Sequence, residues 1–194
     1  IFLAYDYFGQ YMPDIIAHQG ASLNKLAGHM YLTTEGVFGV PLGVSVSFIY
    51  LFVLFGSLLE RAGAGQYFIN LAFALLGKFR GGPAKASVIA SGLTGMVSGS
   101  STANVVTVGT FTIPLMKKAG LTSTKAGAIE VAAGVNGQLM PPIMGAAAFI
   151  IAEFLGLSYT NVMIAAVIPA FVCYLSLFFI VHLESCKLGL KGME

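Results

Sequence analysis

The sequence predicts an all-α integral membrane protein made of transmembrane helices, a re-entrant helical hairpin and a discontinuous (broken) helix. Three observations predict it. Of the 194 residues, 57% are hydrophobic and 9% charged, about a third of the charge an ordinary soluble chain carries, and no soluble fold of this length hides so much apolar surface. Two short polar stretches, Ser98–Asn104 and Asn136–Pro142, interrupt otherwise apolar runs. The basic residues collect at particular segment ends, which sets a topology.

Residues 1–36 mix Asp6, Pro13, Asp14, His18, Lys25, His29 and Glu35 with Tyr5, Tyr7, Phe8, Tyr11 and Met12. Charges and aromatic rings together suit a headgroup region. The stretch reads as an extramembrane or interfacial connection with one short helix over 21–31. Residues 37–59 carry no charge and end at Glu60-Arg61, Gly63 and Gly65. About 23 residues rising 1.5 Å each give about 34 Å, enough to cross a core of about 30 Å. Gly39 and Gly43 form a small-xxx-small pair suited to close helix packing. Residues 66–77 are apolar but too short to cross, and read as an arm helix stopped at Gly77.

Residues 83–118 hold the first polar stretch. About 13 to 15 residues lie on each side of it, about 20 to 22 Å of helix, whereas two full spans need about forty residues plus a turn. Both outer ends are basic, with Lys78, Arg80 and Lys85 before and Lys117 and Lys118 after. Like charge puts both ends on one membrane face. Two full spans also return the chain to that face, so length decides in favour of a re-entrant hairpin with its tip at Ser98–Asn104. Non-helical backbone at that depth persists only inside protein or along a cavity.

Gly120 after Lys117-Lys118 marks a helix stop, and Thr122, Ser123 and Thr124 supply caps for the next helix. That helix runs into the second polar stretch, where Pro141-Pro142 cannot continue it but suit the first turn of another. The second half-helix is expected over 143–155. One broken crossing thus covers 124–156, and 160–182 is the last full span of a membrane domain over 37–194. With 37–59 running inward, Arg61, Lys78, Arg80, Lys85, Lys117, Lys118, Lys125, Lys187 and Lys191 lie inside and Lys25 outside, as the positive-inside rule requires.

The two interruptions carry the chemistry. A helix ending at a break offers free carbonyls to it, and a helix starting there offers free N–H groups. Two such breaks at mid-membrane present oxygens to a small cation and N–H groups to an anion, a design that discontinuous transporter helices use. Ser98, Ser100, Ser101, Thr102 and Asn104 add hard hydroxyl and amide oxygens suited to an alkali cation. Gly99 and Gly137 let the backbone turn and approach a ligand. Asn136 and Gln138 can orient a carboxylate or its hydroxyls. A lone Ser in an apolar helix bonds the preceding turn or glues helices; five polar residues within seven at a tip point instead to a site.

Glu130 has two readings. An acid within the membrane is a functional candidate, here for coupling. Yet Gly127, Glu130, Gly134 and Gly137 share one narrow helical face, which equally suits burial against Lys125 or a backbone N–H. Glu153 reads as solvated at the far boundary. The sequence holds no G-x-x-x-x-G-K-[ST] and no G-x-S-x-G. His18, His29 and His182 lack metal spacing, so no transition metal is expected. Cys173 and Cys186 form no disulfide framework. Charge runs for nucleic acid are missing. The expectation is a protein that is neither an enzyme nor a nucleic-acid binder. No basic n-region of a signal peptide precedes the apolar segments, and the chain, which begins at Ile1, reads as a piece of a longer membrane protein.

The run SGSSTANVVTVGTFTIPLMKKAG, residues 98–120, resembles the large membrane (DctM-like) subunit of tripartite ATP-independent periplasmic (TRAP) transporters. So do AGAIEVAAGVNGQLMPPIMGAAAF, residues 126–149, and the stretches LTTEGVFGVPLGV and FGSLLERAGAGQYF. The likeness is to the fused 4TM/12TM permease type. One departure lies at Gly134-Val135-Asn136-Gly137-Gln138, where that family often has Ser-Thr-Gly-Gly-Gln. The resemblance implies a cation-coupled importer, usually Na⁺-driven, of small organic acids delivered by a periplasmic binding protein. It implies a multi-pass protein of a bacterial or archaeal inner membrane and an elevator-like motion. It further implies two inverted repeats, of which this chain holds the N-terminal one. The missing partners are then the second repeat and the small-subunit helices, with the lipid bilayer around them. The coupling ion is Na⁺, with no cofactor. Mapped residue by residue, the cation set is Ser98, Gly99, Ser100, Ser101, Asn104, Val135, Gly137 and Pro141. The substrate set is Thr102, Asn136, Gln138 and Met140. A channel or an unrelated ion-coupled carrier built on a re-entrant hairpin, and a structural membrane subunit, are the other classes these residues admit.

Overall fold

The computed structural model describes residues 2–190 and 192. Among them every regular element is helical. The chain divides into two compact units, residues 1–47 and 48–194.

The first unit holds α1 (Phe2–Phe8), a 3₁₀ turn at Gly9–Tyr11, α2 (Leu23–Leu32) and α3 (Val40–Val44). Ser22 caps α2 by accepting from the Lys25 N–H at 3.3 Å, the role that favours Ser before a first turn. The loop before it is pinned by His18. Its Nδ1 accepts from the Gly20 N–H and its Nε2 lies 3.1 Å from the Tyr5 carbonyl oxygen. The Tyr5 hydroxyl reaches the Ile16 carbonyl at 2.7 Å. The helix α1 and this loop are local structure that periodicity did not reveal.

The second unit contains α4 (Tyr50–Arg61), α5 (Ala64–Leu76), α6 (Gly82–Ser98), α7 (Ser101–Lys118), α8 (Ser123–Asn136), α9 (Ala146–Leu155) and α10 (Tyr159–Lys187). The local signals act as physical chemistry requires. Gly120, at φ +103°, follows α7, and Gly156, at φ +62°, follows α9. The Thr122 hydroxyl accepts from the Lys125 N–H at 3.4 Å to start α8, and Ser158 does the same for α10 through Asn161 at 3.4 Å.

Among the described residues, two stretches are long and apolar enough to cross a membrane, Val40–Arg61 and Tyr159–Lys187, with 11% and 17% of their apolar windows buried within the protein. The helix α6 is their opposite, burying 12 of its 17 residues. Ala86 and Ala90 pack with Ile69 and Ala72 of α5 and Val108 of α7. Ala84 and Val88, two positions out of phase, pack with Met116, Ala126, Ala133, Tyr174 and Val181. Small residues along α6 thus let α5, α7, α8 and α10 gather around one rod.

Both hairpin arms run longer than the sequence suggested. α6 has 17 residues and α7 has 18, about 26 and 27 Å of helix. The excess lies mainly at the tip, where Ser98 closes α6 and Ser101–Asn104 already form the first turn of α7, because Gly99 and the Ser100 cap suffice to turn the chain. Lys85 is buried near the start of α6 with its ammonium 5.9 Å from the centre of the Phe178 ring, a cation–π contact.

A buried hydroxyl ties α10 to α8: Tyr174 donates to the Ala133 carbonyl oxygen at 2.8 Å. Tyr174→Phe removes that bond while keeping the ring. We expect it to lower stability by about 1 kcal/mol, read as a small drop of the thermal unfolding midpoint in detergent.

Candidate functional site at the hairpin tip

The tip is two residues of non-helical chain, Gly99 and Ser100, rather than the whole of Ser98–Asn104. α6 ends at Ser98, Gly99 turns left-handed at φ +59°, and Ser100 caps α7 by accepting from the Ala103 N–H at 3.3 Å. Glycine is needed at 99 twice over, for its φ and for space. A Cβ there would run into the Met144 carbonyl oxygen and lie 3.2 Å from Ile143. The tip therefore rests directly on the second interruption.

That interruption differs from its sequence reading. The helix α8 ends at Asn136, a 3₁₀ turn covers Gly137–Leu139, and α9 begins at Ala146 rather than 143. Pro141 and Pro142 do not open the new helix; they form a turn and are joined by a cis peptide bond. The segment closes on itself instead. The Gly145 N–H donates to the Gln138 carbonyl at 2.8 Å, and the Met144 N–H to the Met140 carbonyl at 3.3 Å.

Tip and break meet through glycines. The backbones of Gly95 and Gly137 are in contact, since a Cβ on Gly95 would fall 2.6 Å from the Gly137 Cα. A Cβ on Gly137 would fall 2.6 Å from Asn104 Nδ2. The Gln138 side-chain amide donates to the Ser101 hydroxyl at 2.6 Å. Beside this junction opens a cleft of about 360 Å³ lined by Ser98–Thr102, Gln138, Ile143, Met144, Ala146 and Phe149, with Ile49, Phe52 and Val53. Three helix ends reach it: the last residue of α6, the first of α7 and the first of α9. Its apolar side is aromatic. Phe149 and Tyr159 stack at 4.3 Å with rings 4° from parallel, and Phe52 lies 5.2 Å from Phe149.

Of the expected site residues, Ser98, Gly99, Ser100, Ser101, Thr102 and Gln138 share this cleft. Asn104 and Gly137 touch each other but lie outside its wall. Val135 is exposed, at 52%, on α8, and Asn136 is half-buried and off the cleft. Met140 and Pro141 line a separate apolar cleft of about 430 Å³ with Phe171, Tyr174 and Phe178.

Asn104 is fully buried and oriented. Its Nδ2 donates to the Ser91 carbonyl at 2.8 Å, which settles which way the amide points, since a carbonyl cannot receive Oδ1. Its Oδ1 has no hydrogen-bond partner among the described residues. An orphan acceptor at a fully buried position is costly.

Glu130 is fully buried as well, but not against Lys125 or a backbone N–H. Lys125 pairs with Glu184 of α10. The carboxylate instead accepts from Ser87 at 2.6 Å, Ser91 at 3.0 Å and Thr112 at 2.5 Å. These three residues, and the aromatic stack, escaped the sequence reading. Ser87 and Ser91 stand four apart on one helical face, and that spacing opposite a buried acid was the available signal.

The family model for the Tripartite ATP-independent periplasmic transporter, DctM component, matches residues 4–194. Among relatives, the C4-dicarboxylate TRAP transporter large permease protein DctM of Vibrio cholerae is 33% identical over 66% of this chain and 27% of its own length. The protein of the same description from Pseudomonas aeruginosa is 32% identical over 75% of this chain and 34% of its own. The ectoine TRAP transporter large permease protein TeaC of Halomonas elongata is 33% identical over 49% of this chain and 22% of its own. The chain thus spans at most about a third of the length of these curated relatives. With an all-helical membrane fold, a hairpin tip and a helix break that meet at a polar junction, and a match over nearly its whole length, the chain belongs to the DctM component family of tripartite ATP-independent periplasmic transporters.

Proposed function

We propose that this chain is part of a secondary transporter permease, not an enzyme, that imports a small organic acid across a bacterial or archaeal inner membrane. The solute arrives on a periplasmic binding protein, and Na⁺ drives its uptake. The chain supplies one hairpin and one broken helix, and the rest of the permease, with its small-subunit helices and second repeat, completes the transport unit. The observation that carries this is the junction of two interruptions: hydroxyls of the hairpin tip and the side chain of Gln138 converge on one cleft at three helix ends. Helix ends that meet away from water serve as ion sites because their unpaired carbonyl and N–H groups need partners.

In this reading Ser98, Gly99, Ser100, Ser101, Asn104, Val135, Gly137 and Pro141 form the cation set. Those off the cleft act through backbone oxygens or through a rearranged break. Thr102, Asn136, Gln138 and Met140 face the solute, and Glu130 takes part in coupling. In this reading the hairpin is re-entrant, which the burial of most of α6 within the protein supports. The relatives are named for a C4-dicarboxylate and for ectoine, so the acid itself is to be found by screening. The test is uptake of labelled organic acids by the full-length permease with its binding protein in liposomes. Uptake that requires an inward Na⁺ gradient supports the reading, and uptake indifferent to Na⁺ defeats the coupling assignment.

A further inference from the structure

We propose that Glu130, inside its shell of Ser87, Ser91 and Thr112 hydroxyls, is a proton-binding site that couples proton movement to solute transport. The side chain is fully buried, and its hydrogen-bond partners are all hydroxyl groups on two other helices, α6 and α7. That choice of partner is informative. A carboxylate kept ionised for structure is held by a cation or by N–H donors, which satisfy only its charged form. Hydroxyls donate and accept, so this shell satisfies either form.

Thr112 supplies the movable part. Its hydroxyl oxygen lies 2.5 Å from Glu130 Oε2 and 3.0 Å from the Val108 carbonyl oxygen, yet it has a single hydrogen. With Glu130 ionised, that hydrogen goes to Oε2. With Glu130 protonated on Oε2, the acid donates to the Thr112 oxygen and the threonine hydrogen turns to Val108. Only an O–H bond forms or breaks, and water on either side of the membrane gives or takes the proton. No member of this shell is left unpaired in either state.

Other titratable groups on the surrounding helices do not take over this role. On α10, Tyr174 donates to Ala133, Cys173 is half-buried, and Glu184 pairs with Lys125 of α8. On α6, Lys85 lies over Phe178. On α7, Lys117 and Lys118 are exposed in the last turn. None of these hydrogen-bonds Glu130.

A connection to the tip runs through Ser91. Its hydroxyl donates to Glu130 Oε1 and its carbonyl accepts from Asn104 Nδ2, the amide that lies against Gly137 at the start of the break. A change of charge at Glu130 is thereby felt one residue from the break. The coupling role rests on the transport reading above, whereas proton binding does not.

The test uses the full-length permease in liposomes, wild type against Glu130→Gln, with infrared difference spectra between alkaline and acidic pH. We expect a protonated-carboxyl band in the wild type that Glu130→Gln lacks, and Thr112→Val to shift the pH at which it appears. Wild-type uptake should change about tenfold per pH unit on one side of the midpoint, as one proton requires, and Glu130→Gln should flatten that dependence. A variant that keeps the band, a wild type without it, or an unchanged pH profile in Glu130→Gln overturns the proposal. If the wild type moves no solute at any pH, the transport reading fails, and the carboxyl band still decides the proton site by itself.

Discussion

Gly95→Val should destabilise the protein by about 3 kcal/mol, at the upper end of what overpacking a filled interior costs. The first added carbon alone would lie 2.6 Å from the Gly137 Cα and 3.0 Å from its carbonyl oxygen. Those are backbone atoms of the 3₁₀ turn that begins the break, so no side chain can rotate away. The collision must be relieved by pushing α6 off the interruption, which also opens the polar junction. Valine's branched Cβ carries two methyls that add to the crowding, and its helix-propensity gain of a few tenths of a kcal/mol over glycine does not offset that. Gly127→Ala is the matching control. It lies on α8, where a Cβ would meet nothing within 4 Å, so it should stabilise by about 0.5–1 kcal/mol through reduced backbone entropy. Opposite shifts of the unfolding midpoint for these two variants, measured on the full-length permease in detergent, are the expected result. Similar tolerance of both would mean that the Gly95–Gly137 contact does not hold the junction together.

Asn104→Leu should separate stability from ion binding. Deleting the amide loses the 2.8 Å bond to the Ser91 carbonyl, worth about 1 kcal/mol, but it also removes a buried acceptor that costs about 1–3 kcal/mol while unpaired. The two changes offset each other, so the unfolding midpoint should move little. Cation affinity should fall by at least about tenfold, about 1.4 kcal/mol, because Oδ1 is a buried amide oxygen with no hydrogen-bond partner among the described residues, on a side chain whose Nδ2 lies against Gly137. If Asn104 only glued α7 to α6, stability would drop instead and ion binding would follow it down.

The elements most legible in the sequence were those set by local chemistry. Gly120 and Gly156 stop helices because each follows the last turn in a left-handed conformation, and Thr122 starts one because its hydroxyl fills an open N–H. The break at 136–145 was visible as a break but not in its course. Two prolines are compatible with either a first helical turn or a tight turn. The choice fell to the Gly145–Gln138 bond and to Met144 lying against Gly99, neither of which is local. The tip residues from Ser98 to Thr102 and Gln138 could be grouped by composition alone, and they share a cleft. Met140 and Pro141 line another cleft, with α10, because the turn swings them to the far side of the segment from Gln138. Glu130 stood out as an acid in an apolar run, yet its partners come from 18 to 43 residues upstream. Ser87 and Ser91 look like ordinary helix glue until α8 is laid beside them.

The claim that tip and break make one cation site is tested most directly by Na⁺ titration of the full-length permease, wild type against a Ser100→Ala, Asn104→Ala double variant. Ser100 holds the start of α7 at the cleft, and Asn104, whose Nδ2 lies against Gly137, carries a buried oxygen without a partner among the described residues. The expected result is a loss of Na⁺ affinity of at least about tenfold with the fold retained. Unchanged Na⁺ binding in the double variant would contradict the assignment.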